Sequence, residues 1–177
     1  MHEAVADFVS QQVQLHGVGH VDVLDIGGRK VSTSRFYTGP HPVDLFPLAK
    51  RYHVLDLLPA ADVDIAADAT QPAIVSLVLK RKYDVVVCTE VLEHVADWFG
   101  VLRSAHIALK PGGLLILTCA GPGRPPHAGF HENLDKPKDE FYANVSHLEV
   151  RQALLVLGFK DVLTYQIGLD TQATAVK

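Results

Sequence analysis

The chain has 177 residues, 48% of them hydrophobic, and a formal net charge of −4 with histidine neutral. That size suits one compact domain, 1–177, whose core needs no disulfide or metal staple. There is no basic arm and no long run of like charge, which argues against general nucleic-acid binding and against attachment to an anionic membrane.

In chain order, Val5, Phe8, Val9 and Val13 fall on one face of a helix over residues 3–15, near the i, i+3, i+4, i+8 spacing. This N-terminus is too polar and acidic for a signal peptide, and no apolar run is long enough to span a bilayer, so the expected location is cytoplasmic. "VDVLDI" (21–26) reads as a first strand that runs into Gly27 and Gly28. Gly39, Pro40, Pro42 and Pro47 interrupt the next segment, so the crossover helix expected there is short or broken. "YHVLDLL" (52–58) and "VDIAADA" (63–69) are the second and third strands, followed by an amphipathic helix over 71–82. "YDVVVCT" (83–89) is the fourth strand, with Asp84 as a strand-entry residue. A helix over 96–110 is stopped by "PGG" and leads to a fifth strand, "LLILTCA" (114–120). Cys88 and Cys119, the only cysteines, lie near the ends of these two apolar runs and read as buried thiols in a reducing compartment.

Residues 121–145 are rich in Gly, Pro and His and carry no clear period. A loop of that length in a small domain is usually functional, and it reads as a lid over a site. Ser146 and Glu149 form a capping box opening a helix that closes at Gly158. Two final strands form a pair. Strands separated by helical patterns make an α/β protein with a mostly parallel sheet.

In such sheets ligands bind beyond the carboxyl ends of the strands. Glycines after the first strand let a ligand lie against the backbone. Asp56 after the second strand suits the two hydroxyls of a ribose, and Asp68 after the third suits an adenine amino group. Glu90 follows the fourth strand. The pattern describes an adenosine pocket. A full G-x-G-x-x-G and a P-loop, the marks of a pyrophosphate site, are both missing from the sequence.

"VLDIGGR", "YHVLDLLPAADVDIAADA", "YDVVVCTEVLEHV" and "LKPGGLLILTCAGPG" together resemble the class I S-adenosylmethionine-dependent methyltransferases, type-11 group, over about residues 20–120. The resemblance implies a Rossmann-like, seven-stranded sheet in the order 3-2-1-4-5-7-6 with strand seven antiparallel. It implies S-adenosylmethionine as cofactor. Asp25, Gly27 and Gly28 would lie under its methionine part, Asp56 would hold the ribose, Asp68 and Ala69 the adenine, and Glu90 and Val91 would line the cofactor beside the acceptor. The family usually shows D-x-G-x-G-x-G, whereas Arg29 and Val31 stand here at the later glycines. Arg29 either pairs with the methionine carboxylate or is a solvated or sheet-edge arginine.

Glu90, Glu93 and His94 form E-x-x-E-H. On a helical turn, these positions share a face that could hold Mg²⁺, Mn²⁺ or Zn²⁺. Metal-dependent O-methyltransferases of the ubiquinone pathway and of small-RNA 3′ ends are similar here and add a later histidine; His147, His131 or His127 is the candidate. "EVLEH" is also common in the type-11 group without any metal. His94, Glu90, His127 and His131 are the candidate catalytic groups, with a histidine as base because its ordinary pKa suits neutral pH. Trp98 and Phe99 read as core residues. The expected reaction is methyl transfer, to a hydroxyl of a small molecule, sugar or glycan, with no nucleic acid, no membrane and no particular oligomeric state implied. A non-catalytic adenosine-binding or scaffold protein and a nucleotide-dependent oxidoreductase are the alternatives.

Overall fold

The computed structural model describes residues 3–30, 39–127 and 140–177. Helix α1 (Glu3–Leu15) precedes β1 (Asp22–Ile26). Then come β2 (Arg51–Asp56), β3 (Ile65–Ala66) and α2 (Pro72–Val78). They are followed by β4 (Tyr83–Thr89), α3 (Trp98–Ala108) and β5 (Leu109–Ala120). Helix α4 (His147–Val156), β6 (Lys160–Ile167) and β7 (Asp170–Val176) complete the chain.

The seven strands form one sheet in the order β3-β2-β1-β4-β5-β7-β6. Every pairing is parallel except those of β7, which runs antiparallel to both β5 and β6. This is the expected topology. Strand alternation sorts the apolar side chains to two faces. Leu24, Ile26, Val86, Cys88, Leu115 and Leu117 face the larger core, which Val75 of α2, Leu102 of α3 and Leu154 of α4 complete. Val23, Val85, Val87 and Ile116 face the other side, where Val5 and Val9 of α1 and Phe46 pack. Both cysteines are buried and free, and burial raises both thiol pKa values. Trp98 and Phe99 pack against the larger core. Asp84 accepts hydrogen bonds from Lys110 Nζ (2.8 Å) and the Asp22 N–H (2.9 Å), the structural role expected of it.

Several boundaries differ from the sequence expectation. Strand β3 keeps only two ladder residues, Ile65 and Ala66. Helix α2 ends at Val78, so Lys80, Arg81 and Lys82 lie beyond its last turn. Only a short 3-10 turn, Pro42–Leu45, is found in the described part of the β1–β2 crossover, where the prolines interrupt a longer helix. Helix α3 ends at Ala108, and "PGG" lies inside β5, in the register shift between the Tyr83–Leu109 and Val85–Leu114 pairings. Lys177 clamps that bulge by accepting from the Gly112 N–H and donating to Gly113 O. The capping box on α4 is present as expected: Glu149 Oε2 accepts from the Ser146 N–H (2.9 Å), and Ser146 Oγ from the Glu149 N–H (3.3 Å). Among the described residues no helix is long and apolar enough to cross a membrane.

Candidate active site

Parallel strands aim their carboxyl ends to one edge of the sheet, and the expected cofactor residues sit there together. Gly27 follows β1 with φ of 80°, a left-handed conformation that L side chains rarely adopt. Its N–H donates to Leu55 O at 2.7 Å. A Cβ on Gly27 would collide with the Val91 side chain, and one on Gly28 with the Asp25 carboxylate. The two glycines therefore let Val91 and Asp25 close on the turn.

Asp25 is fully buried and accepts a 2.7 Å hydrogen bond from Tyr52 Oη at Oδ2. Its Oδ1 has no partner among the described residues. Burial, helped by the nearby Asp56 charge and opposed by the Tyr52 hydrogen bond, pushes its pKa up to about 7. Asp56 accepts from the Leu58 N–H at Oδ1 (3.0 Å), and Arg29 Nε stands 3.6 Å from the same oxygen. Asp68 Oδ1 accepts from both the N–H (2.8 Å) and the hydroxyl (2.7 Å) of Thr70, a local turn that orients the carboxylate. Ala69 follows it, half-buried, and its carbonyl accepts from Ser104 Oγ at 2.7 Å.

Beyond β4 the chain departs from the expected helical face. Glu90 has φ of 59°, which sets it apart from the 3-10 turn Leu92–His94. Its N–H donates to Thr118 O (2.9 Å), and its Oε1 accepts from Thr118 Oγ1 (3.1 Å). Arg124 Nη1 lies 2.7 Å from Glu90 Oε2 and 2.5 Å from Asp170 Oδ1. Glu90 is thus tied to β5 and to an arginine.

Glu93, His94 and His127 come together instead, each offering a ligand atom within 4.8 Å of the others. Glu90 and His147 stand outside this group, so the ligand set expected from E-x-x-E-H with His147 is corrected. The reason is backbone path: a left-handed residue and a 3-10 turn replace the α-helical turn that would have aligned Glu90 with Glu93 and His94. His147 is the first residue of α4, and His131 lies outside the described residues.

The group is partly buried, with His94 and His127 half-exposed to solvent. Glu93 is fully buried, and neither of its oxygens has a hydrogen-bond partner among the described residues. Burial and the Glu90 charge hold its carboxyl well above the usual carboxylate range. Burial and the neighbouring His127 lower His94 to about 4, so its imidazole is neutral. Tyr142 completes the group, its ring centroid 5.5 Å from that of His94 and 5.1 Å from that of His127. Its hydroxyl has no partner among the described residues, and burial raises its pKa.

Arg124, Tyr142, Asp170 and Tyr52 were not singled out by the sequence. Their only signal was position: Arg124 and Tyr142 lie in the unusually long loop, and Asp170 opens the last strand.

Comparison with known proteins places the chain in a family. A methyltransferase domain family model matches residues 2–123. A ubiquinone biosynthesis O-methyltransferase of Xanthomonas oryzae pv. oryzae is 34% identical over 123 residues, covering 63% of this chain and 47% of that protein. That of Xanthomonas campestris pv. campestris is 31% identical over 115 residues, with the same coverage. The chain therefore spans about half the length of these relatives. The crystal structure of Burkholderia thailandensis 1,6-didemethyltoxoflavin-N1-methyltransferase with S-adenosylhomocysteine bound superposes with a TM-score of 0.65 at 18% identity, covering 99% of this chain and 79% of that one. The chain belongs to the methyltransferase domain family, with the class I, Rossmann-like fold of S-adenosylmethionine-dependent methyltransferases.

Proposed function

We propose that this protein transfers the methyl group of S-adenosylmethionine to a hydroxyl of a small-molecule or sugar acceptor, a glycan end included. One observation carries the reading. The partly buried group of Glu93, His94, His127 and Tyr142 adjoins the glycine turn after β1, because Val91, three residues before His94, packs on Gly27. Relatives named as O-methyltransferases favour oxygen as the receiving atom.

The residues fit the cofactor. Asp25 offers a buried oxygen without a partner, Gly27 a bare backbone, and Asp56 a carboxylate for the ribose hydroxyls. Asp68, with one oxygen already held by Thr70, keeps the other for the adenine amino group, with Ala69 beside it. Bound there, S-adenosylmethionine supplies a methyl group already activated by its sulfonium. The protein's task is to hold the acceptor in line and keep water out, and positioning provides most of the rate. The described ends of the 121–145 segment flank the acceptor side, since His127 and Tyr142 enter the site from them.

A hydroxyl acceptor must also lose its proton. With its pKa near 4, His94 is a poor base at neutral pH. The cluster favours a second element, a divalent ion held by Glu93, His94 and His127. Neutral imidazoles are ready ligands, and a cation would offset the ionised Glu93 carboxylate that burial otherwise penalises. Such an ion would lower the pKa of a bound acceptor hydroxyl. Without an ion, His127 is the candidate base.

The test is single-turnover methyl transfer to a panel of hydroxylated small molecules and sugars, with divalent metal added or chelated. Binding of S-adenosylhomocysteine without transfer to any acceptor would favour an adenosine-binding or scaffold protein. Binding of NAD in its place would favour the oxidoreductase alternative.

A further inference from the structure

The turn after β1 carries Arg29 two residues after Gly27. Its side chain is half-buried, 19% exposed. Its Nε lies 3.6 Å from Asp56 Oδ1, within ion-pair range but too far for a hydrogen bond, and the Nε–H has no other acceptor among the described residues. An arginine keeps its charge at any working pH and satisfies it best through a bidentate carboxylate. Here it has a loose, partly desolvated contact. The backbone around it is anchored: the Lys30 N–H donates to Asp62 Oδ2 at 2.7 Å, and the Gly27 N–H to Leu55 O.

We propose that Arg29 is a specificity gate on the cofactor site: it sits against Asp56 in the free protein and yields only to an adenosyl ligand that brings its own carboxylate. The inference rests on the reading of Asp56 as the ribose acid. A ribose that takes both Asp56 oxygens must displace the guanidinium from Oδ1, which also accepts from the Leu58 N–H. A nucleoside without an amino-acid end must break the ion pair and leave a shielded arginine unpaired, which costs affinity. An S-adenosyl amino acid offers its carboxylate to the same guanidinium and exchanges one ion pair for another. Discrimination then comes from a penalty on the wrong ligand as much as from attraction to the right one. The arginine at residue 29 becomes intelligible on this basis: a glycine there would leave the ribose acid open to an adenosine without a carboxylate.

Calorimetric titrations of S-adenosylhomocysteine, 5′-methylthioadenosine and adenosine into the wild type and Arg29→Ala test the gate. The two ligands without a carboxylate should bind Arg29→Ala roughly three- to fivefold more tightly than the wild type, the scale of one partly shielded ion pair. S-adenosylhomocysteine should bind it about tenfold more weakly, the scale of one charge-assisted hydrogen bond. In an Asp56→Asn background, Arg29→Ala should no longer tighten adenosine binding. If Arg29→Ala lowers the thermal transition of the free protein, Arg29→Gln, which keeps much of the stem without the charge, provides the same comparison. Equal changes for all three ligands, or none, would overturn the gate while leaving the cofactor reading intact. A wild type that binds none of the three would overturn the cofactor reading itself, and the gate with it.

Discussion

Arg124 Nη1 lies 2.7 Å from Glu90 Oε2, and the same nitrogen lies 2.5 Å from Asp170 Oδ1. One guanidinium thereby ties the strained residue after β4 to the start of β7 and to the first residues of the long loop. Arg124 is 19% exposed, and the two carboxylate side chains 12% and 9%. Arg124→Ala would leave two shielded carboxylates without their shared cation, an arrangement that costs about 3 kcal/mol. Urea denaturation should show a loss of that size, and Arg124→Lys should recover part of it. A loss below about 0.5 kcal/mol, the range of ordinary surface changes, would mean that the pair does not hold the site together.

Gly27→Ala should destabilise the free protein by about 1–3 kcal/mol, because φ of 80° is costly with a Cβ and Val91 already fills the space. The added Val91→Ala change removes the collision but not the dihedral strain. The double variant should therefore be more stable than the sum of the two single changes predicts. Strict additivity in thermal or chemical unfolding would show that Val91 and residue 27 do not meet.

Asp25 gives a pH dependence of defined sign. Its folded pKa of about 7 exceeds its ordinary value of 3.8, so the folded state holds a proton that the unfolded chain has released between these limits. Stability should fall as pH rises from about 4 to about 7, by at most about 4 kcal/mol, and this component should vanish in Asp25→Asn. Affinity should run the other way. If Asp25 faces the cationic end of the cofactor, binding favours the carboxylate, so S-adenosylmethionine should bind more tightly as pH approaches 7 and level off above it. Calorimetry at several pH values on both proteins checks this, and the same slope in Asp25→Asn would assign the effect elsewhere.

Chelation should abolish turnover without abolishing S-adenosylhomocysteine binding. Glu93→Gln, His94→Ala and His127→Ala should each reproduce that loss, since the three lie together. His147→Ala should not, because His147 is outside the group. Activity that persists in excess EDTA would leave His127 as the base, and the rate should then rise with pH through a histidine-like pKa that the His127→Ala variant lacks.

How much was legible in advance follows the range of each interaction. The Ser146–Glu149 capping box and the apolar runs of β1 and β4 are local patterns, and they appear where the sequence places them. The parallel sheet follows from strands alternating with helices, and the positions of Asp25, Asp56 and Asp68 at strand ends follow from the sheet. The E-x-x-E-H motif misled because its reading assumed one backbone geometry. A single left-handed residue, Glu90, breaks the helical phase on which the shared face depends.

The sequence by itself determined the elements, the class of sheet and the line of candidate cofactor residues along its carboxyl edge, because hydrophobic periodicity and turn residues act over a few positions. Only the tertiary structure decided the partners inside the site. Arg124 meets Asp170 across 46 positions, His94 meets His127 and Tyr142 from different strand ends, and Arg29 lies against Asp56 rather than in solvent. Such contacts depend on which strands the sheet makes neighbours and on how each loop leaves its strand. No local period encodes either, so these charges and rings find one another only when the sheet closes.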